Sequence, residues 1–185
     1  LNNVLGTLNL LEAMVNNNCN RIIFSSSASV YGNPEYSPID ESHPKKPINP
    51  YGRSKLMAEQ MLEDFDKAHG LKYFIFRYFN AAGHDIDGEL TERHNPETHL
   101  LPLIMKAAMG ENESVDIYGS DYDTRDGTCI RDFVHVRDLC EAHLKGLDLF
   151  FDQDKELTSN CFNIGSSIGF SVKEVISKVK DEVDK

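Results

Sequence analysis

The chain has 185 residues, of which 40% are hydrophobic and 26% charged, which is ordinary globular usage and enough length to bury one substantial core and reach into a second domain. No apolar run approaches the ~20 residues of a membrane span and no signal-peptide pattern opens the sequence, so neither a membrane partner nor export is expected. A net charge of −11 without any cluster of Lys and Arg argues against nucleic acid as a partner, although one arginine and a helix N-terminus could still hold a small diphosphate.

The chain opens inside a helix. Val4, Leu5, Leu8, Leu11, Met14 and Val15 recur at helical spacing, and Asn16 to Asn18 end the run. Arg21-Ile22-Ile23-Phe24 reads as a short, fully buried strand that runs straight into Ser25-Ser26-Ser27. A loop containing Pro34, Pro38, Pro44, Pro47 and Pro50 leads to a helix from about Tyr51 to His69, closed by Gly70 as a C-terminal cap. Tyr73 to Arg77 reads as another buried strand. The polar segment from about Asn80 to Thr98 is long enough to suggest a functional loop. Leu100 to Met109 reads as a helix, Ser114 to Tyr118 as a strand, Ile130 to His135 as extended and Asp138 to Phe150 as a helix. Cys161 to Ile164 is a further strand, and Ser171 opens a last helix in which Glu174 completes a capping box. Helices alternating with short apolar strands predict an α/β protein with a parallel sheet.

The four cysteines, Cys19, Cys129, Cys140 and Cys161, are scattered without C-x-x-C spacing. They read as reduced thiols of a cytosolic protein, with neither a disulfide framework nor a zinc site implied. The seven histidines show no cluster in sequence; His94 and His99, five apart in a loop-like stretch, have poor metal-ligand spacing. No metal site is expected.

The chemistry concentrates in Tyr51-Gly52-Arg53-Ser54-Lys55. A tyrosine and a lysine four apart on a helix share one face, and the ammonium then favours the phenolate. Such a base can take the proton of a sugar hydroxyl while the carbon bearing it is oxidised. The pair alone is weak, because 7 tyrosines and 12 lysines in this length supply about half such a match by chance. Its context strengthens it. Ser27 lies twenty-four residues earlier, at the carboxyl end of a buried strand, where open α/β sheets bind their ligands. Its hydroxyl could share a proton with the tyrosine; the plainer alternative is a serine capping a turn.

In order, SSSASVYG, PYGRSK, RYFNAAG, HLLPLI and GTCIRDFVHVRDL resemble the successive sequence blocks of UDP-glucose/UDP-galactose 4-epimerases, within the extended short-chain dehydrogenase/reductase family. The resemblance runs along essentially the whole chain. It implies a partial Rossmann-like parallel sheet with helices on both faces, plus part of a smaller C-terminal substrate domain. The expected division is 1–80 for the C-terminal half of the NAD-binding domain and 81–185 for a mixed region, where substrate-domain segments interleave with the last strands and helices of the sheet. No G-x-x-G-x-x-G or G-x-G-x-x-G turn follows a strand, so an N-terminal portion on the order of 80 to 100 residues is expected to be missing. The C-terminal end reads as cut as well.

By the same resemblance Tyr51 is the catalytic base, Lys55 its electrostatic partner and nicotinamide-ribose contact, and Ser27 the hydroxyl-sharing member, with all three touching cofactor and Ser27 and Tyr51 also touching substrate. Asn2 and Phe79 match NAD-contacting positions. Asn80, His99, Leu100, Asp116, Ile117, Tyr118 and Arg131 match positions that hold the UDP-sugar, with His99 standing where asparagine is often found. Each has an ordinary alternative: an Asx turn for Asn80, an ion pair with Asp132 for Arg131, core packing for Ile117 and Tyr118. Related dehydratases and decarboxylases carry an acidic residue after the catalytic serine or threonine. Ala28 and Ser29 stand there, and neither can do acid–base work of that kind. The resemblance therefore implies NAD-dependent interconversion of UDP-galactose and UDP-glucose in a cytoplasmic homodimer joined through the helices Asn2 to Asn16 and Tyr51 to His69, with Met57 and Met61 as candidate contacts. UDP-glucuronate 4-epimerase is the enzymatic alternative. The alternative of another class is an inactive truncated polypeptide with only weak nucleotide-sugar binding.

Overall fold

A computed structural model of the chain describes residues 2–91, 94–152 and 156–183. The chain divides into two compact units: Leu1–Phe79 with Asp138–Ile164, and Asn80–Arg137 with Gly165–Lys185.

The first unit is built on three parallel strands in the order β1 (Arg21–Ser27), β2 (Lys72–Tyr78), β5 (Asn160–Ile164). Ile23 pairs with Phe74 and Phe76 with Phe162, which sets the register. Helices cover both faces, as the alternation of elements requires. On one side Leu11 of α1 (Thr7–Asn16) and Leu62 of α2 (Pro50–His69) bury against Leu71 and Ile75. On the other, Phe150 of α4 (Val136–Phe151) stacks on Phe74 with ring centroids 4.2 Å apart, and Phe76 completes the cluster.

Local signals account for the ends of α2. The Asn49 side chain accepts a hydrogen bond from the Gly52 N–H at 2.7 Å, Pro50 occupies the first turn, and Gly70 closes the helix in the left-handed region at φ 69°. Two expectations change. Strand β1 is not fully buried: Arg21 is exposed and Ile22 to Phe24 are half-buried, because β1 lies at the edge of this sheet. It also continues through all three serines, each paired with β2, so that Ser27 lies opposite Tyr78. The first helix, in turn, opens as a π-helical turn over Asn2–Gly6 before α1. There the Thr7 hydroxyl donates to the Asn3 carbonyl at 2.6 Å, competing for the acceptor that a regular α-turn would give to the Thr7 N–H.

The second unit contains β3 (Asn80–Ala82), α3 (Leu100–Ala108), β4 (Ile130–His135), β6 (Gly169–Ser171) and α5 (Val172–Val183). Strand β4 pairs in parallel with β3 and antiparallel with β6. These two partners are three residues each, too short to show a period of their own, and they form because β4 offers them two edges. Ser114 to Tyr118, expected as a strand, has no strand conformation; apart from half-buried Val115 it is exposed, and no strand among the described residues pairs with it.

The start of α5 follows its sequence signal. The Ser171 N–H donates to Glu174 Oε2 at 2.8 Å and the Glu174 N–H donates to Ser171 Oγ at 3.1 Å, a reciprocal capping box. Arg125 clasps the same carboxylate through Nε, at 2.6 Å, and through Nη2. Arg125 and the capping-box donors together hold the Glu174 carboxyl down to about 2. A carboxylate depressed in the folded state contributes stability above its ordinary range, near ~4.3, and loses that contribution as pH falls toward the folded value. Glu174→Gln is therefore expected to lower the urea midpoint most at neutral pH, with the gap to the parent closing as pH falls to about 2. A gap independent of pH would show that the ionised carboxylate contributes nothing.

Candidate active site

The carboxyl end of β1 carries three serines whose side chains alternate, and the two sides do different work. Ser26 is buried on the α2 side and donates to Glu59 Oε1 at 2.6 Å. Arg77 of β2 forks onto the same carboxylate, with Nε to Oε1 at 3.0 Å and Nη2 to Oε2 at 2.8 Å, and both side chains are almost fully buried. Burial opposes the charge on Arg77, but the Glu59 carboxylate outweighs it and the pKa moves up. The Arg77 Nη1 also donates to the Tyr31 hydroxyl at 2.8 Å, which in turn donates to Asn163 Oδ1 at 2.7 Å. This network ties β1, β2, β5 and α2 together directly beneath Ser27.

Ser25 and Ser27 lie on the opposite side. The Ser27 hydroxyl oxygen accepts from the Ser29 N–H at 3.2 Å and from Ser29 Oγ at 3.0 Å, capping the short turn Ala28–Val30. Both of its acceptor sites are thereby used, which leaves its own proton to give. The capping alternative and the proton-sharing one are thus compatible. Lys55 reaches up from α2 so that Nζ donates to the Ser25 carbonyl at 2.8 Å and lies 5.0 Å from the Phe24 ring centroid. The same nitrogen is 5.8 Å from the Tyr51 ring centroid, and burial pushes its pKa down. Tyr51, one turn earlier, keeps 51% of its surface exposed, so its hydroxyl is open to a ligand.

Gly52 explains how the helix start comes so close. A Cβ there would lie 2.4 Å from the Ser29 carbonyl oxygen, so only glycine lets Tyr51 sit against the turn that follows Ser27. Ser27, Tyr51 and Lys55 are therefore gathered at one end of β1. Asn2 is exposed on the π-helical turn, where its neighbour Asn3 donates to Ser54 Oγ at 3.0 Å, and the Phe79 N–H donates to the Ile164 carbonyl at 3.1 Å just past β2.

A second network at this strand end was not visible in the sequence. His143 Nδ1 lies 2.8 Å from the Leu139 carbonyl, which assigns the proton to Nδ1 and makes Nε2 an acceptor. Tyr78 then donates to Nε2 at 2.8 Å, and Ser25 Oγ lies 2.9 Å from the Tyr78 oxygen. Strand alternation puts Ser25 on the Ser27 side, but nothing in sequence points to His143, sixty-five residues from Tyr78.

In the second unit, Asn80 Nδ2 donates to the Asp132 carbonyl at 2.8 Å, which places it beside Arg131 on neighbouring strands. The Asp132 carboxylate is taken by Ser166 and Ser167, with 2.7 Å from the Ser166 N–H and 2.9 Å from the Ser167 N–H. Arg131 is exposed, and its neighbour Asp132 accepts from these serines. Ile117 and Tyr118 are exposed, Tyr118 to 83%, and Asp116 is exposed too. His99 stands at the N-terminal boundary of α3 without a side-chain capping bond, and Leu100 begins the helix. His94 and His99, judged badly spaced for ligation, are brought together around Glu97, with ring centroids 4.8 Å apart.

Residues 1–165 match the model of the NAD dependent epimerase/dehydratase family. The chain belongs to that family. Among relatives of this epimerase/dehydratase chain, the UDP-glucose 4-epimerase of Rhizobium meliloti (strain 1021) is 45% identical over 179 residues, covering 97% of this chain and 54% of the relative. That of Halalkalibacterium halodurans is 48% identical over 175 residues, covering 95% and 52%. Solved structures agree. UDP-glucose 4-epimerase from Brucella ovis in complex with NAD superposes with a TM-score of 0.91 at 47% identity, covering 97% of this chain and 55% of that one. The Bifidobacterium longum enzyme with NAD+ and UDP gives 0.92 at 40% identity, covering 99% and 54%. The chain spans about half the length of the curated relatives it matches. The Rossmann-like α/β reading holds in this epimerase/dehydratase family member. No helix among the described residues is long and apolar enough to cross a membrane.

Proposed function

We propose that this chain is part of a UDP-glucose 4-epimerase that interconverts UDP-galactose and UDP-glucose with NAD. The observation that carries the proposal is the gathering of Ser27, Tyr51 and Lys55 at the carboxyl end of β1, supported by the named relatives. The donor set fits the cofactor: a half-buried lysine, an exposed tyrosine and a serine with a free proton suit a ribose and a nicotinamide edge. NAD held there would supply reversible hydride acceptance at C4 of the hexose, with epimerisation following when the 4-keto sugar turns over before re-reduction. Acting as the phenolate, whose charge Lys55 favours, Tyr51 takes the proton from the C4 hydroxyl oxygen. Ser27, with its acceptor sites filled by Ser29, donates to the same oxygen. The Ser29 hydroxyl is committed to Ser27, and Ala28 has no acid to offer, so elimination finds no proton donor there.

In this reading Asn2 and Phe79 contact NAD. Asn80, His99, Leu100, Asp116, Ile117, Tyr118 and Arg131 hold the UDP-sugar, Arg131 as a permanently charged partner of the diphosphate. Two copies pair through the helices over Asn2–Gly6, α1 and α2, where Leu5, Leu10 and Met57 are exposed; Met61 packs into the core instead. The four unpaired cysteines suit a cytoplasmic setting. The test is conversion of UDP-galactose to UDP-glucose, with NAD recovered on denaturation. Failure of a full-length polypeptide carrying this chain to convert either sugar overturns the proposal. Failure of the 20.9 kDa chain alone would locate the activity only in the longer polypeptide.

A further inference from the structure

Bends at Asn95 and Pro96 fold the segment before α3 back on itself and assemble His94, Glu97 and His99. One nitrogen or oxygen donor from each lies within 4.8 Å of the other two. His99 Nδ1 is 2.9 Å from Glu97 Oε1, and His94 Nδ1 is 3.7 Å from Glu97 Oε2. A tetrahedral zinc bound at about 2.0–2.1 Å sets its donors about 3.3 Å apart. The two separations, each to a different oxygen of the one carboxylate, straddle that value, and no pair of donors in the set is more than 4.8 Å apart, so side-chain rotation would have to draw the three donors onto one ion.

The carboxylate is the fixed member. Its side chain is only 6% exposed, and Oε1 accepts from the Thr98 N–H at 2.8 Å and the His99 N–H at 2.9 Å. That anchoring leaves Oε2 turned toward His94. Two imidazoles and one carboxylate are a borderline donor set. They suit zinc and its first-row neighbours, whereas calcium and magnesium take six or more oxygens.

We propose that His94, Glu97 and His99 form a three-ligand site for a divalent transition metal, with zinc as the best fit and the fourth position open to water. None of the residues assigned to proton transfer takes part, but His99 is also assigned to the UDP-sugar, so the site is tested by zinc binding to the chain and not by activity.

Chelator-treated chain titrated calorimetrically with zinc chloride is expected to bind one equivalent. His94→Ala, His99→Ala and Glu97→Gln are each expected to weaken that binding at least about tenfold. The asparagine variants His94→Asn and His99→Asn, which keep polarity and approximate size, are expected to do the same while circular dichroism stays unchanged. The four cysteines are the obvious rival ligands, so cobalt substitution should give an absorption spectrum without thiolate charge transfer. Absence of zinc binding, binding indifferent to these substitutions, or a thiolate band would each overturn the proposal and leave the cluster a hydrogen-bonded turn before α3.

Discussion

Tyr51→Phe is expected to lower the turnover of UDP-galactose by about 10²–10⁴-fold in a polypeptide that carries this chain, the span that one positioned acid–base group contributes. The substitution removes a single oxygen from a side chain that is half exposed, so the fold has no reason to change. UDP binding is expected to stay within a few-fold, because the groups assigned to the nucleotide belong to other elements. The loss should therefore fall on kcat rather than KM. Ser27→Ala is expected to cost less, since Ser27 shares the proton but does not receive it. Steady-state kinetics beside calorimetric UDP binding separates these effects. A Tyr51→Phe variant that kept more than about a tenth of its kcat would remove Tyr51 from the role of base.

Arg77→Met is expected to destabilise the first unit by about 3–5 kcal/mol, the cost of stranding one charge of a buried pair. The reason lies in what remains. Glu59 is fully buried, and without the guanidinium its carboxylate keeps, among the described residues, the Ser26 hydroxyl and the Lys45 ammonium at 3.7 Å. Tyr31 also loses a donor. Replacing both partners together, Arg77→Met with Glu59→Leu, is expected to recover much of the loss, because an apolar pair leaves no orphan charge. Urea unfolding of the two single variants and the double variant closes the cycle. Single losses below about 1 kcal/mol would show that the pair is not desolvated as its burial implies. Ser26 precedes Ser27, so the single variants should also lower kcat by displacing the end of β1.

The elements legible in the chain were those whose signals lie a few residues apart. Asn49, Pro50 and Gly70 bound α2, Ser171 and Glu174 start α5, and the apolar run of β2 reads directly as a buried strand. Tyr51 and Lys55 share a helix face for the same local reason, and their distance from Ser27 in sequence matched a strand and a helix in the right order. Apolar spacing misled at Ser114 to Tyr118, because a strand exists only where another strand receives its hydrogen bonds. β3 and β6 show the converse: three residues with no pattern become strands beside β4.

Helix identity, capping and the tyrosine–lysine face were set by the sequence itself, since each depends on backbone geometry within one or two turns. Tertiary structure alone decided the rest. Arg77 meets Glu59 across eighteen residues and Tyr78 meets His143 across sixty-five, pairings that depend on which strand lies beside which. Even the joining of His94 to Glu97 and His99, only a few residues apart, needed the bend of the chain between them. Side-chain type limits what a group can do; the path of the backbone determines which partner it finds.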